Sequence, residues 1–353
     1  MRVLQVMAGA AQGGAEAFFH RLVPALAEAG VEQRAAVRPH GGEGMARLAA
    51  AGVSAVPLPF GGWFDWRTRP GLRRAIADFA PDVVLSWMSR ATRFCPRGDF
   101  VHAARLGGYY DLKYYRRCDH LFANTLGIRD WILGRGWPED RVHFLPNFVA
   151  EGPVTPADRA AEETPADAPL IVALGRLHPN KGFDVLLRAM AHLPHARLWL
   201  AGDGPLQAKL EGLAAELGVT DRVRFLGWRD DGPALIAAAD AVAVPSRHEP
   251  LGNVVLEAWA RGKPVIAARA QGPEELIDSG RTGILVPVDD AAALAWALRD
   301  LLGASGTAAQ LAAAGQAMYA AHFARAHVVR AYIEVFDRIC GKGDGEPCVA
   351  SPA

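Results

Sequence analysis

Two glutamates stand close together in the stretch SRHEPLGNVVLEAWARGKPV, residues 246–265. The proline that follows Glu249 disfavours a helical conformation there, so this carboxylate is expected in a loop. Asn253 is predicted to be the N-cap of the next helix, which Gly262 would end, and Glu257 would lie about one turn inside it. Because carboxylates accept hydrogen bonds from hydroxyl groups and helix N-termini attract anions, the pattern suits a ligand that carries both hydroxyls and phosphate.

A simpler explanation of the same spacing stays open. Glu257 would then only offset the dipole of its own helix, and Glu249 would be a solvated turn residue. The spacing of these two residues does not decide between the explanations, so other stretches of the chain must.

A second stretch, GRLHPNKGF at residues 175–183, supplies cations. It follows the apolar run LIVAL and precedes a predicted helix. Arg176 can bind two oxygens through its planar guanidinium, Lys181 adds a compact charge, and the glycines let the backbone approach a ligand. The stretch therefore predicts a diphosphate site, the alternative being two solvated surface charges. No Ser or Thr follows Lys181, so it is not the phosphate-binding loop of nucleotide hydrolases.

A matching turn occurs in the first half of the chain, in AGAAQGGAEAF at residues 8–18. Gly13 and Gly14 would give an amide-rich approach to a phosphate or sugar, and Glu16 would start a helix. The spacing departs from G-x-G-x-x-G, and no acidic residue is clearly placed about 20 residues further on to hold a ribose. The turn therefore argues against a nicotinamide-dependent dehydrogenase.

Metal and nucleophile motifs are missing from the sequence. It contains no HxxxH, HExxH or cysteine cluster with the spacing of metal ligands, and no GxSxG elbow. We therefore expect chemistry that needs neither a metal nor a cofactor. The four cysteines are widely spaced without a CxxC pair, which favours a reducing, cytoplasmic location.

Short apolar runs alternate with helix-like stretches, which is typical of βαβ units around a parallel sheet. The alternation stops at residues 150–169, a segment rich in Pro, Ala and acids that is predicted to be an interdomain linker. We expect two Rossmann-like α/β domains, at 1–160 and 161–325, with a ligand between them. An amphipathic helix at 326–341 and a disordered tail at 342–353 would complete the chain.

Charge and hydropathy limit the partners. Lys plus Arg equals Asp plus Glu at 38 each, which argues against broad affinity for nucleic acid. No apolar run approaches the ~18 residues of a membrane span, so any membrane contact would be peripheral. Two stretches mix aromatic and basic residues, at 61–74 and 105–122. They suit a membrane interface or a large polar acceptor, unless their aromatic residues only complete the first domain's core.

Five segments in this order resemble retaining glycosyltransferases of the GT-B fold, family 4. They are GGAE at 13–16, GRLHPNKGF at 175–183, AGDGP at 201–205, EPLGNVVLEAWARGKPV at 249–265 and RTGILVPVDD at 281–290. The match is strong from about residue 170 to 300 and looser in the first half. The resemblance implies two Rossmann-like domains that face each other across a cleft. The first would lie on the acceptor side, the second would hold a nucleotide-sugar donor, and the last helix would cross back to the first.

The resemblance also implies roles for individual residues. Arg176 and Lys181 would hold the donor diphosphate, Glu257 the ribose hydroxyls, and Glu249 would lie against the transferred sugar as the catalytic carboxylate, which either takes part in the chemistry or only positions the sugar. The other donor contacts that it implies are the backbone amides of Leu251, Gly252 and Asn253, Gly13 and Gly14 from the opposite domain, and Trp228 and Arg229 near the base.

Two positions depart from the family pattern. Many members carry a histidine at the end of a strand in the first domain, close to the reacting sugar. Here His102 lies inside DFVHAARL and the strand ends near Arg105, so either residue would take that catalytic role. The common Gly-Gly before a Glu is replaced by the stretch QGPEE at 271–275, a change expected to matter only locally.

The predicted function is transfer of a sugar from a nucleotide-sugar to an acceptor hydroxyl with retention, in lipopolysaccharide, polysaccharide or glycolipid synthesis. The implied partners are the donor and a saccharide or lipid-linked acceptor, with peripheral contact of the first domain at the inner face of the plasma membrane. Two alternatives remain: a nucleotide-sugar epimerase of the same fold, and a protein that binds the donor without turnover.

Overall fold

The computed structural model describes residues 1–10, 13–40, 42–62 and 64–341. Its contacts divide the chain into two units. Unit 1 comprises Met1–Phe148 together with the segment from Ala324, and unit 2 comprises Val149–Phe323. The tail predicted at 342–353 lies outside the described residues.

The strands are short and largely buried, as parallel strands covered on both faces must be. In chain order they are β1 Arg2–Met7, β2 Glu32–Val37, β3 Ser54–Pro57, β4 Val83–Trp87, β5 Val101–Leu106, β6 His120–Ala123, β7 Val142–Phe144, β8 Leu170–Leu174, β9 Arg197–Ala201, β10 Val223–Gly227, β11 Ala241–Val244, β12 Val265–Ala268 and β13 Ile284–Val286.

The helices alternate with these strands. They are α1 Gly14–Glu28, α2 Glu43–Ala50, α3 Thr68–Phe79, α4 Met88–Phe94, α5 Leu126–Leu133, α6 Phe183–Met190, α7 Gln207–Glu216, α8 Gly232–Ala238, α9 Asn253–Ala260, α10 Gln271–Leu276, α11 Ala291–Gly303, α12 Ser305–His322 and α13 Arg325–Ile339. Within the described ranges, no helix combines the length and the apolarity that crossing a bilayer requires.

Each unit contains one parallel sheet, which confirms the predicted α/β architecture. The strand order is β3-β2-β1-β4-β5-β6-β7 in unit 1 and β10-β9-β8-β11-β12-β13 in unit 2. The order reverses between β1 and β4 in the first sheet and between β8 and β11 in the second. Ligands of open α/β sheets bind outside the carboxyl ends of the strands at such a reversal. The fold therefore directs attention to the loops that follow β8 and β11.

The last helix, α13, packs within unit 1. Tyr332 and Phe336 are fully buried and lie against the ring of Phe122, with centroids 6.0 and 5.9 Å away. The Nε of Arg105 donates a hydrogen bond to the Tyr332 hydroxyl at 2.9 Å. These contacts make α13 part of the core around the sheet of unit 1.

The segment predicted as a linker is instead held within unit 2. Ala157 N donates to the Ala234 carbonyl at 3.0 Å, and Arg159 donates to the Ala238 carbonyl. Thr164, which is buried, accepts a hydrogen bond from Trp199 Nε1 at 2.8 Å. The Pro- and Ala-rich composition was misleading because the segment's few polar groups have partners far away in the sequence.

Candidate functional site

The loops at the reversal of the unit 2 sheet are the two stretches singled out from the sequence. Residues 175–182 follow β8 and residues 245–252 follow β11, and these two strands pair in parallel. The structure therefore brings the predicted cationic stretch and the predicted acidic stretch to one edge of one sheet.

A glycine lets the two loops approach each other closely. Gly182 has φ +63, and a Cβ added to it would lie 2.1 Å from the Pro245 carbonyl oxygen. The amides of Arg247 and His248 both donate to the Asn180 carbonyl, at 2.8 and 3.1 Å. The loops are thus joined by backbone contacts, which hold the side chains they carry in fixed positions.

Lys181 and Glu249 form an ion pair between these loops. Their side chains are 24% and 13% exposed, so the pair is partly shielded from water but reachable. Glu249 also accepts from the Gly252 amide at 3.3 Å and from the Ser246 hydroxyl at 3.4 Å. The carboxylate is therefore held at the start of α9, in a hydrogen-bonded loop position.

The start of α9 differs from the prediction by one residue. The N-cap is Gly252 with φ 88, and Asn253 is already the first helical residue. Glycine adopts this left-handed conformation without strain, and Glu249 accepts the Gly252 amide hydrogen in the absence of a capping side chain at that position. Leu251 is buried before the cap, and Glu257 is half-buried on α9.

Arg176 lies on the same β8 loop as Lys181. It is exposed, and in the described part of the chain it makes no ion pair or side-chain hydrogen bond. The loop packs against the stretch AGDGP after β9. A Cβ added to Gly202 in that stretch would lie only 2.0 Å from the Gly175 carbonyl oxygen. Arg176 is thus a cation on a rigid loop that is available to a ligand.

Arg247 is a residue that the sequence argument overlooked. It makes two hydrogen bonds to the Asp184 carboxylate, at 2.8 and 2.7 Å, and one to the Pro179 carbonyl at 2.9 Å. Its hydrogen bonds lower the pKa of Asp184. Arg247 therefore fastens the β11 loop to the start of α6. Its position inside the 246–265 stretch was visible in the sequence, but its partner 63 residues away was not.

Gly272, the second residue of α10, supports the acidic loop. Its amide donates to the Glu249 carbonyl at 2.8 Å, and a Cβ on it would lie 2.3 Å from the Leu251 carbonyl carbon. This explains why a glycine stands at this position in the stretch that departs from the family pattern.

Trp228 and Arg229 lie after β10, the outermost strand on one side of this sheet. Trp228 is 47% exposed and donates to Asp230 at 3.1 Å. Arg229 is engaged by the carboxylates of Asp231 and Glu162. The strand β9 lies between β10 and β8 in the sheet, and the predicted position of these two residues near the base stays a prediction.

The glycine turn of unit 1 holds a negative charge. The Glu16 carboxylate accepts from the Ala10 amide at 2.7 Å, and a Cβ on either Gly9 or Gly13 would come within 2.3 Å of that carboxylate. Gly14 is the first residue of α1. A side-chain anion therefore lies in the turn where the sequence predicted amides facing a phosphate.

His102 lies away from the carboxyl edge of its sheet. It is the second residue of β5 and is 5% exposed. Its Nε2 is 2.9 Å from the Ser86 hydroxyl, and its amide donates to Asp119 at 2.8 Å. Burial lowers the pKa of His102 to about 4. The suggested strand-end catalytic role is therefore wrong for His102, which is a neutral core residue.

Arg105 lies nearer the carboxyl end of β5 but points into the protein. It is 2% exposed, and its guanidinium carbon lies 4.5 Å from the ring centre of Phe18 and 4.9 Å from that of Trp87. Its nitrogens donate to Asn147 and Tyr332. In this position it stabilises the packing of unit 1, and direct contact with a reacting sugar, as predicted, does not fit its burial.

Comparisons with known proteins agree with the geometry of the two sheets. A family model of glycosyl transferases group 1 matches residues 168–304, and one of Glycosyltransferase Family 4 matches residues 12–151. The chain is 38% identical over 336 residues to the lipopolysaccharide core biosynthesis glycosyltransferase LpsE of Rhizobium meliloti, spanning 92% of this chain and 95% of that protein. It is 37% identical over 346 residues to LpsD of the same organism, spanning 96% and 98%.

The fold is also shared with solved structures. Anabaena Alr3699/HepE in complex with UDP-glucose superposes with a TM-score of 0.83 at 20% identity, over 96% of this chain and 100% of that one. The chain therefore belongs to glycosyltransferase family 4, the glycosyl transferases group 1, and it is a glycosyltransferase of the GT-B fold.

Proposed function

We propose that this glycosyltransferase moves a hexose-type sugar from a nucleoside diphosphate sugar to a hydroxyl of a lipopolysaccharide core acceptor, with retention at the anomeric carbon. The observation that carries the proposal is the Lys181–Glu249 pair at the strand-order reversal of unit 2. The relatives named for lipopolysaccharide core biosynthesis support the acceptor class. The UDP-glucose complex of the Anabaena protein supports the donor class.

The donor diphosphate would lie over the β8 loop, against Arg176 and Lys181. Arg176 is exposed, while Lys181 is paired with Glu249, so a diphosphate would compete with that carboxylate for the ammonium group. Glu257, further along α9, is proposed to accept hydrogen bonds from the ribose hydroxyls. The amides of residues 251–253 would lie beside the sugar or the phosphate.

The proposed chemistry is electrostatic. As the bond to the sugar breaks, negative charge grows on the departing diphosphate, and fixed cations and helix amides stabilise it. Glu249 would orient the sugar and stabilise the positive charge that develops near the anomeric carbon. We propose that no metal is needed, and transfer that persists in excess EDTA after dialysis would support this part of the proposal.

A location at the cytoplasmic face of the inner membrane fits the exposed aromatic residues of unit 1. Phe64 and Trp66 are 93% and 79% exposed and lie just before α3, whose first turn and middle carry arginines. Aromatic and basic side chains together favour a membrane interface. We propose peripheral contact through this segment, which vesicle sedimentation of a Phe64→Ser/Trp66→Ser variant would test.

The decisive experiment is a transfer assay with product analysis. The purified chain is incubated with UDP- and GDP-sugars, with and without a truncated lipopolysaccharide acceptor, and the new linkage is read from anomeric NMR couplings. We expect acceptor-dependent release of the nucleotide and a product with the donor's anomeric configuration. Inversion would refute the retaining mechanism, conversion of the sugar without acceptor would show an epimerase, and donor binding without turnover would show a binding protein.

A further inference from the structure

A groove on unit 1 lies between the crossover that joins β5 to β6 and the end of α5. Its volume is about 480 Å³, within the ~300–1,000 Å³ typical of small-molecule sites. Most of the residues that line it are aromatic or cationic: Tyr109, Tyr110, Lys113, Arg116, Trp131, Arg135 and Trp137, with Asp111 and Leu112 completing the lining. We refer to it as the aromatic groove.

Two of the aromatic side chains of the groove pack against each other. Tyr109 meets Trp131 edge to face, with ring centroids 5.5 Å apart. The Arg135 guanidinium lies 4.1 Å from the centre of the Trp131 ring, and Trp131 and Trp137 are both half-buried. Tyr and Trp offer large, rigid contact surfaces that lose little conformational entropy on binding. Such surfaces suit the flat, largely C–H faces of sugar rings.

The groove also carries a net positive charge, since Lys113, Arg116 and Arg135 line it together with a single carboxylate, that of Asp111. Arg116 is exposed and has no ion-pair partner among residues 1–10, 13–40, 42–62 and 64–341. Arg135 donates to the Trp131 carbonyl at 3.2 Å and otherwise lies on the ring. Lys113, by contrast, is paired with Asp111 at 2.6 Å. Two guanidinium groups are thus available, and guanidinium binds carboxylate and phosphate groups through paired hydrogen bonds.

Tyr110 connects the groove to the carboxyl edge of the unit 1 sheet. It lies two residues after the Gly107–Gly108 pair that follows β5. Burial raises the pKa of Tyr110, while Arg105 lowers it and Glu16 raises it, so the phenol lies within electrostatic reach of both residues. One end of the groove therefore lies near the strand ends where the fold places a substrate.

A polar group beside this edge lacks a partner. Asn124 is 4% exposed, and its Oδ1 has no hydrogen bond within the described chain. The position of a Cβ on Gly107 is 3.8 Å from both Asn124 Nδ2 and Arg105 Nη1. A buried amide oxygen without a donor is costly, and a hydroxyl group at this edge would satisfy it.

We propose that the aromatic groove binds an anionic saccharide, namely the part of the acceptor that carries a phosphate or carboxylate beyond the hydroxyl that reacts. This inference rests on the proposed transferase function. The aromatic rings would stack on the sugar, and Arg116 and Arg135 would bind its acidic group. The groove is concave and its tryptophan rings are half-buried, which suits a saccharide better than a bilayer. Phe64 and Trp66, the residues proposed to contact the membrane, are instead strongly exposed.

The test uses the full chain with ¹⁵N-labelled tryptophans. Glucose, glucose 6-phosphate, glucuronate and inorganic phosphate are titrated at constant ionic strength, and the indole signals of Trp131 and Trp137 are followed. We expect both charged sugars to move these signals with a Kd at least tenfold below that of glucose. Arg116→Glu/Arg135→Glu should raise that Kd at least tenfold. The matched control, Arg73→Glu/Arg74→Glu on α3, should not change it.

Several outcomes would overturn the inference. The first is that no sugar changes the indole signals, and the second is that inorganic phosphate changes them as strongly as the charged sugars do. The third is an equal loss of sugar affinity in the Arg116→Glu/Arg135→Glu and Arg73→Glu/Arg74→Glu variants. The fourth is that phosphatidylglycerol vesicles bind through Arg116 and Arg135 while sugars do not bind. UDP affinity, measured on the same samples, separates this inference from the proposed function, because Arg176 and Lys181, the residues proposed to hold the diphosphate, lie in unit 2 and outside the groove. If the double variant loses its circular dichroism signal, the single Arg116→Ala variant gives the same readout, with a smaller expected loss of about threefold or more.

Discussion

Lys181 and Glu249 stand 68 residues apart in the chain and form an ion pair between the loops after β8 and β11. The two residues were assigned separate roles from the sequence, one on the diphosphate and one on the sugar. Their contact means that each controls the charge the other presents to a ligand. Substitution of either residue should therefore have consequences of opposite sign for nucleotide binding.

Glu249→Ala should leave UDP binding unchanged or tighter while transfer falls at least ~100-fold, the usual scale for loss of a charge-stabilising group. The Lys181 ammonium would be released to the diphosphate, and the sugar would lose its orienting carboxylate. Lys181→Met should instead weaken UDP binding at least tenfold. Calorimetry with UDP and a transfer assay measure both effects. The control is Lys209→Met on the exposed face of α7, and weaker UDP binding in Glu249→Ala would refute the proposed competition.

Gly182→Ala should destabilise unit 2. The residue has φ +63, and the new Cβ would lie 2.1 Å from the Pro245 carbonyl oxygen. A strained backbone conformation of this kind costs about 1–3 kcal/mol. Gly212→Ala on α7 is the control, because a Cβ there meets nothing within 4 Å and alanine favours a helix by roughly 0.5–1 kcal/mol. Urea unfolding of the two variants should shift in opposite directions, and equal shifts would contradict the close approach of the loops.

Tyr332→Phe should destabilise unit 1 by about 1–3 kcal/mol, because it removes the hydroxyl that accepts from the buried Arg105 Nε. The phenylalanine ring keeps the aromatic contacts of α13, so the loss reports on the hydrogen bond. Tyr114→Phe, at a position that is 37% exposed, should change stability by less than about 0.5 kcal/mol. Thermal and urea unfolding provide the comparison. If Tyr332→Phe left the stability of the protein unchanged, water or another group would have to accept the Arg105 Nε hydrogen bond equally well.

Acidification should destabilise unit 1 through His102, which is buried, and His143, which is half-buried. Burial lowers the pKa of His102 and of His143 to about 4 in the folded protein, against about 6.5 in an unfolded chain. The unfolded state therefore binds more protons between these values, so stability is complete above pH ~6.5 and falls as the pH drops towards 4. The loss at pH 5 is about 2 kcal/mol per histidine at most.

Urea titrations at pH 7.5, 6 and 5 measure this dependence. The variant His143→Gln should reduce the slope, because the side chain no longer titrates. Carboxylates with lowered pKa values, such as Asp184, lose their contribution only at lower pH, so they do not mask the effect. Stability that stays constant or rises from pH 7.5 to 5 would show that these histidines are protonated in the folded state.

The sequence predicted the site through residue types and failed where long-range contacts decide the outcome. Arg176, Lys181 and Glu249 were singled out because cations and carboxylates beside glycines, after apolar runs, are rare enough to indicate ligand chemistry, and their roles stay predictions. Their mutual geometry was hidden, since the Lys181–Glu249 contact depends on which strands pair. The α9 cap was misplaced by one residue because Gly252 takes a conformation that local propensity did not reveal.

The same limit explains the residues that were misjudged in unit 1. A histidine in an apolar strand has the same sequence context whether it lies at the strand's start or its end, and only the bounds of β5 show that His102 is at the start. Composition likewise suggested a free linker at residues 150–169, whereas Arg159 and Thr164 find partners more than 30 residues away. Alternation of apolar and polar residues, by contrast, was sufficient for the parallel sheets.

The path of the chain has a consequence for synthesis on the ribosome. The chain leaves unit 1 after Phe148 and rejoins it only at Ala324. Domains generally fold as they emerge, the N-terminal one first, yet here the nascent first half lacks Tyr332 and Phe336 until all of unit 2 has been translated. Unit 2 is continuous, so the part of the protein that is translated later should be the first to reach its final core.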